Sequence, residues 1–372
     1  MISQDRNYKI LNTKQAKQIV NFYLFNVKGI TLGLPEINDR YHVWKVSVLF
    51  NENVVGDICV DAYTGLINEK LSSSKKIILS RIKKAEKKQK EKKSFTYVVS
   101  PLRNTITQGR AEKVLQDVPD RFVDLIFTSP PYYNARKEYS EYETYEDYLS
   151  MMRNVITEGH RVLMDGRFFV INSSHVLMSR ASRNTSSVRY AVPFDLHRIF
   201  MESGFEFIDD IIWEKPEGAG WASGRGRRFA ADRNPLQYKT VPVTEYVMVY
   251  RKKSSVLIDD FIRKHPHREM VEQSKIPDGY ERTNIWHIPS AKDKRHPAVF
   301  PLELAKKIVQ YYSFVNDVVL DPFAGIGTTA RACIELNRRF YMIECNEDYI
   351  TAMHSDLNKY PDLQYDFNFK NG

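Results

Sequence analysis

Hydrophobic positions along this chain change period at a few places, and those changes predict its elements. Between residues 9 and 25 apolar side chains recur at helical spacing (Ile10, Ala16, Ile19, Val20, Tyr23, Leu24), with Asn12 or Thr13 placed to cap the first turn. From Tyr41 to Phe50 and from Val54 to Val60 the pattern alternates, which predicts two strands joined by Asn51-Glu52-Asn53. Farther on come short apolar runs of the kind that make buried strands: Leu125-Ile126-Phe127 after Asp124, Val318-Val319-Leu320, and Phe340-Tyr341-Met342-Ile343 after Arg339. Each run has an unusual ending. The first ends in Thr128-Ser129-Pro130-Pro131-Tyr132-Tyr133, where consecutive prolines stop sheet pairing and hold the chain extended. The second ends in Asp321-Pro322-Phe323-Ala324-Gly325-Ile326-Gly327-Thr328-Thr329, just before a helix-like stretch from Ala330 to Leu336. Glycines where a strand hands over to a helix let backbone approach a ligand. The third run ends at Glu344, nineteen residues past Gly325. That is near the ~20-residue offset at which an acidic side chain meets the ribose hydroxyls of a nucleoside cofactor.

Either string alone is compatible with an ordinary turn or loop opener; both in one chain, with Glu344, are more specific. Together they resemble the amino-group DNA methyltransferases of the permuted (beta) class, in which the catalytic motif precedes the S-adenosylmethionine motif. The resemblance runs from about Val98 to Leu357 and takes in His296-Pro297-Ala298-Val299-Phe300-Pro301 with Leu304, similar to a family segment whose Phe packs near the cofactor. Trp213-Glu214-Lys215-Pro216 and the stretch from Glu245 to Lys252 resemble the strands that bracket the family's target-recognition segment, here about 217–295. The resemblance implies an α/β, Rossmann-like methyltransferase domain that binds S-adenosyl-L-methionine through Phe300, Asp321, Phe323, Gly325, Gly327, Thr328 and Glu344. It also implies catalysis by Ser129, Pro130, Pro131 and Tyr132 on double-stranded DNA. One triplet departs from the family's pattern. Members commonly carry Gly-Asp and a small residue before the catalytic strand, the Asp reaching the cofactor adenine, whereas this chain has Gly109-Arg110-Ala111. Arg110 could stack on the ring or face solvent.

In the family, Asp or Asn before Pro-Pro-Tyr usually goes with adenine N6 and Ser with cytosine N4, so Ser129 implies cytosine. Chemistry permits either base. An exocyclic amine is a poor nucleophile because its lone pair is delocalised into the ring, and the site must take up its hydrogens as the nitrogen becomes tetrahedral. The Ser129 side chain and the Pro130 carbonyl are the acceptors expected for them. A hydroxyl is a far weaker base than a carboxylate, so Ser129 orients the amine, and the proton leaves to water after the methyl has moved. The target must be flipped out of the duplex, at a cost of a few kcal/mol. Stacking on Tyr132 recovers about 1 to 3 kcal/mol, while Tyr133 is expected to pack. Three alternatives stay distinct: cytosine-N4 transfer, adenine-N6 transfer by the same machinery, and a methyltransferase-like DNA-binding protein without turnover. Cytosine C5 chemistry needs a thiolate nucleophile, and Cys59, Cys333 and Cys345 are all expected to be small buried residues. They have neither metal-ligand spacing nor a disulfide framework, which suits a reducing cytoplasm. No apolar run reaches the ~18 residues of a membrane span.

Charge divides the 372 residues further. Of a net charge of +9, the stretch from Lys75 to Lys93 carries +8, with ten Lys or Arg against Glu86 and Glu91. Residues 1–71 are expected to form a small α+β domain, vaguely similar to helix-plus-hairpin PepSY modules; 72–94 a basic linker, either solvated or strapped on DNA phosphate; and 95–372 the methyltransferase domain. Between Gly218 and Arg233, four of the chain's sixteen glycines alternate with Arg225, Arg227, Arg228 and Arg233. Such a loop suits DNA, since Arg pairs with guanine edges. The resemblance further implies the protective half of a restriction-modification pair, with a cognate endonuclease acting separately.

Overall fold

The computed structural model describes residues 8–90, 96–133, 142–178, 184, 188–216, 233–236, 240 and 242–370. The chain divides into two compact units, Met1–Phe95 and Thr96–Gly372.

In the first unit, the helix Thr13–Tyr23 is capped by Asn12, whose side chain accepts the Gln15 N–H at 3.0 Å. It buries Ala16 and Val20 against an antiparallel sheet of Ile30–Leu32, Glu36–Asn38, Val43–Phe50 and Asn53–Asp61. Asn51 and Glu52 both adopt positive φ (49° and 65°), the two-residue turn whose twist matches its flanking strands. The second hairpin strand therefore begins at Asn53, a residue earlier than the alternation suggests. The basic stretch expected as a linker is instead largely a helix, Lys75–Lys90, that belongs to this unit. Its Ile78 and Ile82, one helical turn apart, are buried with Val46, Val48 and Ile58. Gly56 lets it approach, because a Cβ there would stand 2.8 Å from Ile78.

The second unit is built on nine strands in the order Ile285–His287, Phe205–Glu214, Thr244–Lys252, Leu163–Ser173, Val123–Thr128, Val318–Asp321, Arg339–Glu344, Thr105–Gln108 and Asp366–Phe369. Among the described residues of this sheet, Thr244–Lys252 alone runs antiparallel to its neighbours. The motif-bearing runs are buried on both faces, which is why they are continuously apolar. Alternate residues serve two cores. Ile126, Leu320 and Ile343 enter the one covered by the helices Tyr145–Val162 and Val192–Glu202. Leu125, Phe127, Val319 and Met342 enter the other, with the helices Leu302–Tyr312 and Thr328–Glu335. Doubly covered, largely parallel and wound from strand-helix units, this is a Rossmann-like α/β fold.

The register of the two motif strands is pinned at both ends. Val318 N–H donates to Asp124 Oδ2 at 2.9 Å, and Thr128 Oγ1 donates to Asp321 Oδ1 at 2.6 Å. Thr244–Lys252, expected as a strand that brackets the recognition segment, lies at the interior of this sheet, and Ile285–His287, within 217–295, lies at its edge. Tyr250, fully buried against Phe200 with ring centroids 3.9 Å apart, shows why the first cannot be lifted from the core.

Candidate active site

Strands ending at Thr128, Asp321, Glu344 and Gln108 are consecutive neighbours, so the loops after them emerge side by side at the sheet's carboxyl edge. They surround one cavity, lined at one end by Ser129, Pro130, Pro131 and Tyr132 and elsewhere by Phe300, Phe323, Gly325, Thr328 and Glu344. Residues about 190 positions apart in sequence thus face a common space.

The glycine turn owes its shape to Glu344. One carboxylate oxygen accepts the Gly325 N–H at 2.8 Å, and the other accepts the N–H groups of Cys345 and Asn346, each at 2.8 Å. Burial raises the carboxyl above its ordinary range, against the opposing pull of these N–H donors. Gly325 has φ +53°, and a Cβ on it would stand 3.2 Å from the His296 ring. His296 is itself fixed across Pro297, its Nδ1 accepting the Ala298 N–H at 3.1 Å. Phe300 closes the floor, edge-on to Phe127 with centroids 5.3 Å apart. Aromatic walls and a carboxylate in one concave site fit the purine and ribose of a nucleoside cofactor.

Asp321 and Gly327, expected at the cofactor, are not among the residues that line this cavity. Asp321 is fully buried beneath the loop, its oxygens accepting from Thr128, Thr329 and the Phe323 N–H. Burial pushes its carboxyl up to about 6 despite those hydrogen bonds. Gly327 has φ +79° and abuts Met353, whose Cγ would be 2.6 Å from an added Cβ. Both residues brace the turn from behind. Arg110 sits on the cavity rim, where its Nε donates to Glu112 Oε1 at 2.7 Å.

Ser129 and Tyr132 rest on a polar cluster that the sequence motifs do not announce. Glu245 is 5% exposed, and its Oε2 accepts from the Tyr132 hydroxyl at 2.7 Å and from Asn172 Nδ2 at 2.7 Å. Its Oε1 pairs with Lys215, and Asn172 Nδ2 also reaches Ser129 Oγ at 3.2 Å. Burial alone would raise the Glu245 carboxyl, but the Lys215 charge and hydrogen bonds from Lys215, Tyr132 and Asn172 outweigh it and hold it low. Lys215 and Glu245 belong to the strings that resemble the family's bracketing strands, yet nothing in them marks a pair. Tyr133 packs as expected, 6% exposed and edge-on to Tyr145 and Tyr190.

Cys59 and Cys333 are buried; Cys345, expected to be, is exposed, just past the strand end at Glu344 and on the cavity lining. Arg233 is exposed with φ +55°, whereas Arg225, Arg227 and Arg228 lie outside the described residues. Among the described residues no helix is long and apolar enough to cross a membrane.

Fold and cavity together fit a methyltransferase that uses S-adenosyl-L-methionine, and comparison with known proteins shows that class. Residues 123–355 match the N6_N4_Mtase family model, described as DNA methylase. The type II methyltransferase M.BglII of Bacillus subtilis is 29% identical over 277 residues, 71% of each chain. The DNA adenine methyltransferase YhdJ of Escherichia coli K12 is 28% identical over 263 residues, 66% of this chain and 80% of that one. A structure of TTHA0409 from Thermus thermophilus, complexed with S-adenosyl-L-methionine, superposes with a TM-score of 0.58 at 28% identity, covering 72% of this chain and 99% of that one. The chain belongs to the N6_N4_Mtase family of DNA methylases.

Proposed function

We propose that this DNA methyltransferase is of the permuted (beta) class and methylates N4 of a cytosine flipped out of double-stranded DNA at one short sequence. Its biological setting is the protective half of a restriction-modification pair in the cytoplasm, with the endonuclease acting separately; similarity to type II methyltransferases such as M.BglII supports that setting. The observation that carries the base assignment is Ser129, a hydroxyl rather than a carboxylate, where the catalytic strand opens into the cavity.

S-adenosyl-L-methionine, when bound, supplies an electrophilic methyl group. Glu344, Phe300 and Phe323 hold the nucleoside part, and Gly325 lets the turn lie close. Ser129 Oγ and the Pro130 carbonyl accept the amine hydrogens, orienting the nitrogen lone pair toward the donor. Tyr132 stacks on the extruded ring. Arg225, Arg227, Arg228 and Arg233 contact DNA.

A second reading, transfer to adenine N6, is favoured by the similarity to YhdJ and uses the same residues. Expression in a host lacking DNA methylation, followed by sequencing that reports modified bases, separates the readings and maps the site. Modified cytosine in one short sequence is expected. Modified adenine overturns the cytosine assignment, and unmodified DNA from cells containing folded, cofactor-binding protein overturns the activity.

A further inference from the structure

The buried cluster behind the catalytic loop combines groups from four strand ends. Ser129 and Tyr132 follow Val123–Thr128, Asn172 lies at the end of Leu163–Ser173, and Glu245 opens Thr244–Lys252 opposite Lys215, which follows Phe205–Glu214. The chemistry of each group dictates its neighbour's role. An ionised carboxylate only accepts, so the Asn172 amide must turn its nitrogen toward Glu245. That nitrogen has no lone pair to offer, so Ser129 Oγ can only accept from it. The Ser129 hydroxyl hydrogen and its remaining lone pair are left for the cavity. Together they complement an aminopyrimidine edge, in which an acceptor ring nitrogen stands beside a donor amine. Tyr132 is tied to the same oxygen of Glu245, which anchors the hydroxyl end of its ring. Lys215 balances the charge and lies with its Nζ 4.5 Å from the Trp213 ring centroid.

We propose that Glu245 and Asn172, with Lys215 as counter-charge, are the positioning residues of the amine site: they orient the Ser129 hydroxyl and the Tyr132 ring before the base arrives. The inference rests on the reading of Ser129 and Tyr132 as the groups that receive the target base. Glu245 is no general base in this arrangement, because both its oxygens are engaged and its carboxyl is held below the ordinary range. Its effect is transmitted through hydrogen bonds.

The test is a double-mutant cycle on the full-length enzyme with DNA carrying the mapped site, read by single-turnover methyl transfer and, separately, by calorimetric affinity for S-adenosyl-L-methionine. Asn172→Ala and Glu245→Gln should each slow transfer about 10-fold or more, the loss expected when hydrogen bonds to a charged group are removed. Cofactor affinity should stay within about twofold, since the cluster lies away from Glu344. In a Ser129→Ala background, Asn172→Ala should cause almost no further loss, because it acts through the missing hydroxyl. Equal losses in both backgrounds would overturn the proposal, as would full rates in Asn172→Ala and Glu245→Gln when Ser129→Ala is impaired; in that last case the reading of Ser129 itself survives. A fully active Ser129→Ala enzyme overturns both. Should Glu245→Gln fail to fold, Tyr132→Phe removes one of the same hydrogen bonds and should impair transfer without altering cofactor affinity; unimpaired transfer then counts against the proposal.

Discussion

Removing the Glu344 carboxylate should detach the cofactor without touching the methyl-transfer residues. The carboxylate lines the cavity and at the same time accepts three backbone N–H groups, from Gly325, Cys345 and Asn346. Glu344→Ala therefore takes away both the acceptor offered to the ribose and the tie that seats the glycine turn. A hydrogen bond to a charged group contributes about 1.5 to 3 kcal/mol, which weakens S-adenosyl-L-methionine binding about 10- to 150-fold. Glu344→Gln should lose nearly as much, because its amide nitrogen must face at least one of the backbone donors and leave it unsatisfied. Gly325→Val attacks the same seat by another route, forcing a β-branched residue into φ +53° with its Cβ 3.2 Å from His296. Calorimetric titration without DNA measures all three, and thermal unfolding of each variant checks that the fold persists. Affinities within about twofold of the parent for all three well-folded variants would refute the placement of the cofactor.

Asp321 predicts a pH signature. Its carboxyl, raised from 3.8 to about 6, contributes stability that is complete below the unfolded value and lost as pH rises through the folded one. The stability lost on Asp321→Asn should thus be larger near about pH 5 than near about pH 8, and a constant difference in denaturant titrations would contradict this. For the basic helix, Lys76, Lys83 and Lys84 are exposed while Ile78 and Ile82 face the core. Deleting residues 1–93 should weaken binding to specific and nonspecific duplexes alike and shrink the salt slope by about 0.9 per lost phosphate contact. Lost sequence preference with an unchanged slope would argue against the phosphate role. Replacing Arg225, Arg227, Arg228 and Arg233 singly by Ala should relax selectivity at one base pair for at least one of them, by about 1 to 3 kcal/mol. Uniform weakening across single-base variants of the site would make the loop an electrostatic grip only.

Much of the fold was readable because strand burial and strand termination leave local marks. Leu125-Ile126-Phe127 and Val318-Val319-Leu320 are apolar without alternation because helices cover both faces of the sheet, and the proline and glycine strings identify the ends that carry loops. Other features depend on who lies next to whom. Asn172 becomes part of the site only because its strand pairs with the catalytic one, placing Ile171 beside Thr128. Glu245 joins it through the antiparallel strand that comes next in the sheet, where Tyr246 opposes Ser173. No local spacing encodes either pairing. Asp321 and Gly327 stand behind the cavity lining for a related reason: residues that shape a turn and residues that face its cavity share one string. The helix from Lys75 to Lys90 was hidden by composition, since two isoleucines one turn apart suffice to dock it on Gly56.

The central claim, that a serine-bearing amine site acts on cytosine, is tested most directly by the chemistry of the product. Purified enzyme, S-adenosyl-L-methionine with a deuterated methyl group and unmethylated DNA would be incubated, the DNA digested to nucleosides, and the labelled species identified by mass spectrometry. The expected product is N4-methylcytosine carrying the deuterated methyl, absent when Ser129→Ala enzyme is used. Label appearing in N6-methyladenine instead, or in no nucleoside although the enzyme binds its cofactor, would contradict it.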